Sequence, residues 1–298
     1  MKLSIVTPVY NGEKYLAETI ESVLSQEGDF EVEYIIKDGG SNDDTVKIIK
    51  SYDEKLRAGQ YPIKCSDISF KWYSGKDLGM YDAINKGFEG ATGEIYAWIN
   101  SDDLYLPGAF SAVIRAFEAF PEVEWLKGEG FLIDESSKTR EEILSYAYRQ
   151  DWIARGFYGT VAPFIPQETA FWCALLWRKS GGIDKTLKLA GDYSLWIKFA
   201  RYAPLWTLDV KVSCFRTSDT QLTHTMGDYR KEQQDLLPHK DFLYYIVEIF
   251  FWIKSKTKWY PGFSVVLYKI FFGSQREQAI YPRPDNTIEK RTVDSYLV

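Results

Sequence analysis

The sequence predicts an α/β fold, a mostly parallel sheet flanked by helices and followed by a helical C-terminal extension. Two observations carry this. Over the first hundred residues, short β-branched runs alternate with helical patterns, the signature of βαβ units. Polar residues gather behind those runs, where the loops of an open parallel sheet diverge and leave backbone donors free for a ligand.

The first strand is read at Leu3 to Pro8. Tyr15, Leu16, Ile20, Val23 and Leu24 then recur at helical spacing and give one apolar stripe to lie on the sheet. Glu33 to Asp38 is a second strand ending in Gly39-Gly40. Ser41, with Asp44 three residues on, suggests a capping box opening a helix through Val46, Ile48 and Ile49. Phe70 to Tyr73 is a third strand, Met80 to Ala91 a helix, and Glu94 to Ile99 a fourth strand running into Asn100-Ser101-Asp102-Asp103. Pro107 opens an apolar helix through Phe110, Val113, Ile114 and Phe117. Asp192 to Ala200 reads as a short helix and Leu205 to Phe215 as a strand. No repeat or low-complexity linker interrupts the chain, so one compact unit is expected.

The tail differs. Phe242 to Ile253 is almost wholly apolar, with only Glu248 charged, and Trp259 to Phe272 adds aromatics around Pro261-Gly262. Each run is shorter than the roughly 20 residues a membrane span needs. Six basic and two acidic residues lie between Lys240 and Arg276, a composition that suits a surface-lying membrane anchor. A buried helical subdomain or a dimer interface stays open.

Composition removes several classes. The 298 residues carry 36 basic and 42 acidic side chains, a formal −6, so no nucleic-acid partner is expected. Cys65, Cys173 and Cys214 are odd in number and widely spaced, which argues against a disulfide framework or zinc knuckle and for a reducing, cytoplasmic setting. Met1-Lys2 runs straight into Leu3 to Val6 without a signal-peptide pattern. With only His224 and His239, a His-x-x-x-His metalloprotease is excluded, and no Gly-x-Ser-x-Gly elbow, Walker lysine or Gly-x-Gly-x-x-Gly loop is present.

Four loops hold the candidate chemistry: Thr7 to Asn11, Asp38 to Asp44, Gly75 to Asp77 and Asn100 to Asp103. Adjacent carboxylates without nearby thiol or imidazole suit a hard cation, Mg²⁺ or Mn²⁺, that keeps waters and bridges phosphate oxygens. Asp103 is the first metal candidate, with Asp102 for a ribose hydroxyl or a shared role; the pair would also serve as a plain helix cap. Asp38 would accept from a base imide N–H, with Gly39 and Gly40 letting the chain turn closely, or would simply cap its own turn. Thr7, Pro8, Val9, Tyr10 and Asn11 would set an amide and a ring against the base. An acceptor hydroxyl needs a general base, and Asp192 at a helix start is the candidate, held ionised by the helix dipole; Glu168 is the reserve. His224 is a weaker candidate for the diphosphate.

Together these segments resemble the family 2 glycosyltransferases of the GT-A, Rossmann-like fold: Ser4 to Gly12, Lys37 to Thr45, Asp77 to Gly87 with Tyr81 and Asn85, and Asn100 to Asp103, in order and spacing. Ala190-Gly191-Asp192-Tyr193 resembles the motif that supplies the family's base. The resemblance implies an inverting, single-displacement transfer from a nucleoside diphosphate sugar, often a uridine one, with a divalent metal. It implies donor contacts from the loop residues above, including Gly39, Ser41, Asp77, Tyr81, Asn85, Ser101 and Asp102. It also implies an acceptor that is a glycan or lipid-linked, in surface polysaccharide synthesis at the inner face of the cytoplasmic membrane. On this reading residues 1–104 form the nucleotide-sugar half, 105–230 the acceptor half and 231–298 an aromatic, basic helical tail. The sequence departs from the family at Asn42 to Asp44, where a glycine commonly follows the aspartate, and at Gly191-Asp192, where an acidic pair is often seen.

Overall fold

The computed structural model describes every residue except 144–146, 218–225, 238, 257–267, 270–271, 273–275, 284–286 and 295–298. The amino-terminal half alternates as expected: β1 (Lys2–Val9), α1 (Leu16–Leu24), β2 (Gly28–Asp38), α2 (Thr45–Arg57), β3 (Cys65–Ser74), α3 (Met80–Phe88), β4 (Ile95–Trp98). Then come β5 (Leu104–Tyr105), α4 (Ala109–Ala119), β6 (Trp125–Ile133), β7 (Thr139–Ile143), α5 (Gln150–Ala154), a 3₁₀ turn at Gln167–Thr169, β8 (Ala170–Cys173), α6 (Ala174–Ser180), α7 (Gly191–Phe199) and β9 (Trp206–Arg216). The chain closes with α8 (Met226–Leu236), α9 (Phe242–Lys256), β10 (Arg276–Pro282) and β11 (Ile288–Asp294).

The eleven strands of the described residues join one sheet, whose main path runs β3-β2-β1-β4-β8-β6-β9-β10-β11. β8 is antiparallel to both neighbours, so the strands on either side of it share one direction; β11 also runs against it. Along this path seven of nine strands are therefore parallel in sense, and their carboxyl ends open onto one edge. β1 is buried on both faces because helices cover each side, with Ser4 and Thr7 the buried polar residues among its apolar ones. On one face α1 and α4 bury Leu16, Ile20, Phe110 and Val113. On the other, Trp98, Trp125, Trp172 and Trp196 pack together, with Trp98 and Trp196 stacked at 6.0 Å and Trp98 and Trp172 edge-on at 5.4 Å. Such aromatic pairs add about 0.5–1.5 kcal/mol each beyond the area they bury.

Two expectations need correction. The extension is not wholly helical, since β10 and β11 form a hairpin that lengthens the sheet beyond β9. Among its described residues only Ala279 and Ile280 of that hairpin are fully buried, too little apolar alternation to announce a strand. The capping box at Ser41 and Asp44 also does not form. Ser41 Oγ is committed to Asp38, and Asp43 Oδ1 instead accepts from Thr45 N at 3.0 Å. The aromatics of residues 259–267 lie outside the described residues, as does His224.

Candidate active site

The strand-end loops are stitched into one rim. Asn11, whose φ of 51° is left-handed, turns the chain out of β1. Its amide donates to Ser41 Oγ at 2.7 Å and its Oδ1 accepts from Asn42 N at 3.0 Å. Gly12 N donates to Thr45 Oγ1, Glu13 N donates to Asp43 Oδ2, and Glu13 Oε2 accepts from Asp44 N across the same gap. A Cβ on Gly12 would lie 3.3 Å from Ser101 Oγ, and one on Gly39 3.1 Å from Asp77 Oδ2. All four loops thus meet. Tyr10 stands 65% exposed at this rim, an open aromatic face beside the Asp38 loop.

Some assigned side chains are already committed within the protein. Thr7 is fully buried and shares a 3.0 Å hydrogen bond with Tyr34 OH, so its side chain belongs to the core. Asp38 accepts from Gly40 N, from Ser41 N and Oγ, and from Ser74 Oγ, which engages both oxygens in capping its own turn. The buried Tyr81 and the half-buried Asn85 of α3 both reach the segment before α7. Tyr81 OH donates to Leu189 O at 2.5 Å, and Asn85 bonds both N and O of Ile183.

The adjacent aspartates separate by burial. Asp103 is 0% exposed; its Oδ1 accepts from Arg216 N at 2.9 Å and its Oδ2 from Asn100 Nδ2 at 3.2 Å. Burial, reinforced by Asp102 and Glu168, holds its carboxyl well above the usual range. Asp102 is the partly exposed member of the pair. The turn is fixed from behind by Arg216, itself fully buried. Its Nε donates to Asp102 O at 2.8 Å, its Nη2 meets Glu18 Oε2 at 2.9 Å, and its guanidinium lies 4.2 Å over the Tyr15 ring. Asn100 Oδ1 is buried and has no hydrogen-bond partner among the described residues. No cluster of three or more metal-type ligands occurs among the described residues.

Behind this turn lie the two candidate bases. Gln167 Nε2 donates to Trp98 O at 2.7 Å and so pins the 3₁₀ turn to the end of β4. The next residue, Glu168, is buried, and burial pushes its carboxyl up to about 7. Its charge is felt at Asp103, and it in turn feels Asp192 and the buried Lys127, whose ammonium burial lowers to about 8. Asp192 is 8% exposed and is likewise pushed up to about 7 by burial, against the lowering effect of the Tyr193 amide, which donates at 2.8 Å. The helix dipole therefore does not hold it firmly ionised; desolvation outweighs it. Arg216, Glu18, Tyr229 and Glu232 all bear on these groups and are not evident from sequence, where only the abrupt arginine ending an apolar strand gives any sign.

A sheet of one predominant direction, with acidic groups at the carboxyl ends of its strands, is the layout of an α/β fold that binds its ligand at that edge. Residues 4–169 match the model of the family described as glycosyl transferase family 2, more than half of the chain, and the chain belongs to that family. It is a glycosyltransferase. It is 28% identical over 236 residues to an uncharacterized glycosyltransferase of Rickettsia typhi, a match covering 78% of this chain and 70% of that one. An uncharacterized glycosyltransferase of Mycobacterium tuberculosis is 25% identical over 235 residues, covering 77% and 82%. Among solved structures, residues 1–349 of S. aureus TarS in complex with UDP-GlcNAc superpose with a TM-score of 0.60 at 16% identity, covering 91% of this chain and 76% of that one. The mannosyltransferase PcManGT of Pyrobaculum calidifontis, in complex with GDP-Man and Mn²⁺, gives 0.57 at 17%, covering 92% and 76%. Likeness at this identity is likeness of fold.

Proposed function

We propose that the chain moves a sugar from a nucleoside diphosphate sugar, a UDP-linked one, to a glycan or lipid-linked acceptor in surface polysaccharide synthesis, by a single inverting displacement. The observation that carries this is the pairing of a partly exposed Asp102 at the strand-end rim with a buried Asp192 whose carboxyl sits near neutrality. The donor lies on the rim, its base against Tyr10 and the backbone of Pro8, Val9 and the Gly39 turn, its diphosphate toward Ser101 and Asp102. Donor identity draws support from the UDP-GlcNAc complex of TarS; the GDP-Man complex of PcManGT marks the alternative.

The donor set fits a hard divalent cation. One accessible carboxylate suits Mg²⁺ or Mn²⁺ completed by substrate phosphates, and Asn100 Oδ1 adds an oxygen that has no partner among the described residues. Asp102 is the residue to hold it, in place of the buried Asp103. When bound, the ion neutralises charge developing on the leaving diphosphate. The rest is done by the chain. Asp192 accepts the proton of the acceptor hydroxyl as that oxygen bonds to the anomeric carbon. The carbon–oxygen bond to the diphosphate breaks with its electron pair going to the nucleotide. A pKa near the working pH suits a base that must be ionised yet still proton-hungry.

The tail supports work at a membrane surface. Phe242, Tyr245, Ile249 and Trp252, exposed by 80, 50, 55 and 62%, fall three or four residues apart on one face of α9, with Lys256 on that face at its end. Among the described residues no helix is long and apolar enough to cross a membrane. A stripe of that kind, flanked by lysines, matches a helix lying in an anionic interface.

The test is calorimetric titration with a panel of nucleoside diphosphates, with Mn²⁺ and then with chelator. Metal-dependent binding of one nucleotide, lost in Asp102→Ala, is the expected result; a folded protein that binds none overturns the reading. Cosedimentation with anionic vesicles, weakened when Phe242 and Trp252 are both changed to Ser, tests the tail. Equal sedimentation of the two forms removes the membrane role.

A further inference from the structure

We infer that α8 is a positioning element for the acceptor-side base, with Tyr229 and Glu232, one helical turn apart, fixing Asp192 in place. The inference rests on the reading of Asp192 as that base. Neither residue lies within the segment matched by the family model, which ends at residue 169.

α7 begins at Gly191 behind an N-cap residue, Ala190, whose side chain makes no capping bond. A helix start leaves backbone donors unpaired, and a carboxylate nearby is favoured by both hydrogen bonding and the helix dipole. Here the carboxylate comes from another helix. Glu232 Oε1 accepts from Lys188 N at 2.9 Å, and Oε2 accepts from Leu189 N at 2.8 Å and Ala190 N at 2.6 Å. These are the three residues that lead directly into α7. Tyr229 OH donates to Asp192 Oδ1 at 3.4 Å, a longer contact than that from Tyr193 N to the same oxygen. Tyr229 and Leu236 also pack against Ala190, Tyr193 and Ile197, so positions 229, 232 and 236 form one face of α8 turned to α7. From the opposite side Tyr81 of α3 holds Leu189 O. The segment is thus clamped between α3 and α8, and the carboxylate that follows it cannot drift.

The titratable groups facing Asp192 are Tyr229 and Glu232 from α8, Tyr81 from α3 and Glu168 from the 3₁₀ turn. The Tyr229 hydroxyl favours ionised Asp192 by donating to it, whereas the Glu232 charge opposes ionisation. Tyr229→Phe keeps the ring and its packing and deletes only the donor. Expected are an acid limb of kcat displaced to higher pH, a roughly two- to threefold lower kcat near pH 6.5, and an unchanged donor KM. Glu232→Gln is expected to lower kcat by roughly 10- to 100-fold with donor KM and nucleotide affinity unchanged. If Glu232→Gln fails to fold by circular dichroism, Tyr229→Phe decides alone.

A second readout is independent of turnover. In protein labelled with ¹³C at aspartate carboxyls, with the Asp192 signal assigned through Asp192→Asn, Tyr229→Phe should raise the Asp192 titration midpoint. An unmoved midpoint with an unmoved kcat profile overturns the inference. If the wild-type chain turns over no donor at all, the transferase reading fails separately, and the carboxyl titration still decides whether α8 controls Asp192.

Discussion

At the scale of single residues, burial divides groups that the sequence presents as equals. Asp102 and Asp103 are both acidic and adjacent, yet only Asp102 reaches solvent, while Asp103 serves the Arg216 amide inside the protein. Arg216→Ala is therefore expected to cost about 1–3 kcal/mol of stability, because it deletes a fully buried side chain that donates to the Asp102 and Asp134 carbonyls, whereas the pair with the exposed Glu18 adds little. Urea unfolding measures this, and a loss under about 1 kcal/mol would contradict the role given to Arg216. Asp192→Asn is expected to keep nucleotide affinity and lose turnover by at least about 10²-fold, the usual range for a general base. The base must be ionised, so wild-type kcat/KM should rise with pH through a limb near 7 and flatten above it. Glu168 titrates in the same range, and a Glu168→Gln variant that retains this limb assigns it to Asp192. The carboxylates themselves, and their placement after strands, were legible in the sequence. Which oxygen faces water was not, since that depends on Arg216, more than a hundred residues away along the chain.

At the scale of elements, the βαβ alternation of the first hundred residues was readable because each helix shows one apolar stripe and each strand a short β-branched run. The middle was not. β6 carries the buried Lys127, β8 has only four residues, and α8 is polar along nearly its whole length, so neither periodicity nor composition announces them. The motif around Tyr81 and Asn85 was visible, but that its side chains tie α3 to the segment before α7 was not. That contact also accounts for the departure at Gly191. A Cβ there would come within 2.6 Å of the Tyr81 ring, closer than any side chain tolerates. Gly191→Ala is accordingly expected to cost about 1–3 kcal/mol through overpacking and to displace Asp192, lowering kcat. Since the two residues are in contact, their effects should not add: trimming the ring with Tyr81→Ala in the Gly191→Ala background should recover part of the stability lost to the clash. A double-mutant cycle by thermal melting checks this, and strict additivity would remove the contact as the cause.

At the scale of the whole molecule, one sheet joins segments from both ends of the chain, and α8 runs across residue 230, so the residues on either side of that point share a continuous framework. Such a framework can afford acids that are poorly solvated. Asp192 and Glu168 have folded pKa values near 7, raised from ordinary carboxyl values by burial, so between about pH 4 and 7 the folded protein holds protons that the unfolded chain has released. Stability with respect to these groups must therefore fall as pH rises through that window and level off above it. Asp192→Asn removes one of the buried charges while leaving the side chain its size. One pKa unit corresponds to about 1.4 kcal/mol, so at pH 8 the variant should be more stable than wild type by at least about 1 kcal/mol, even though it has lost turnover. At pH 5 wild-type Asp192 is protonated in the folded protein and ionised in the unfolded chain, so the gap should be clearly smaller than at pH 8, and it should close only below about pH 4, where both states are protonated. Urea unfolding of both proteins at pH 5 and pH 8 measures the difference directly. A gap that stays constant across the two pH values would mean that Asp192 is ionised in both, and that burial does not govern its charge.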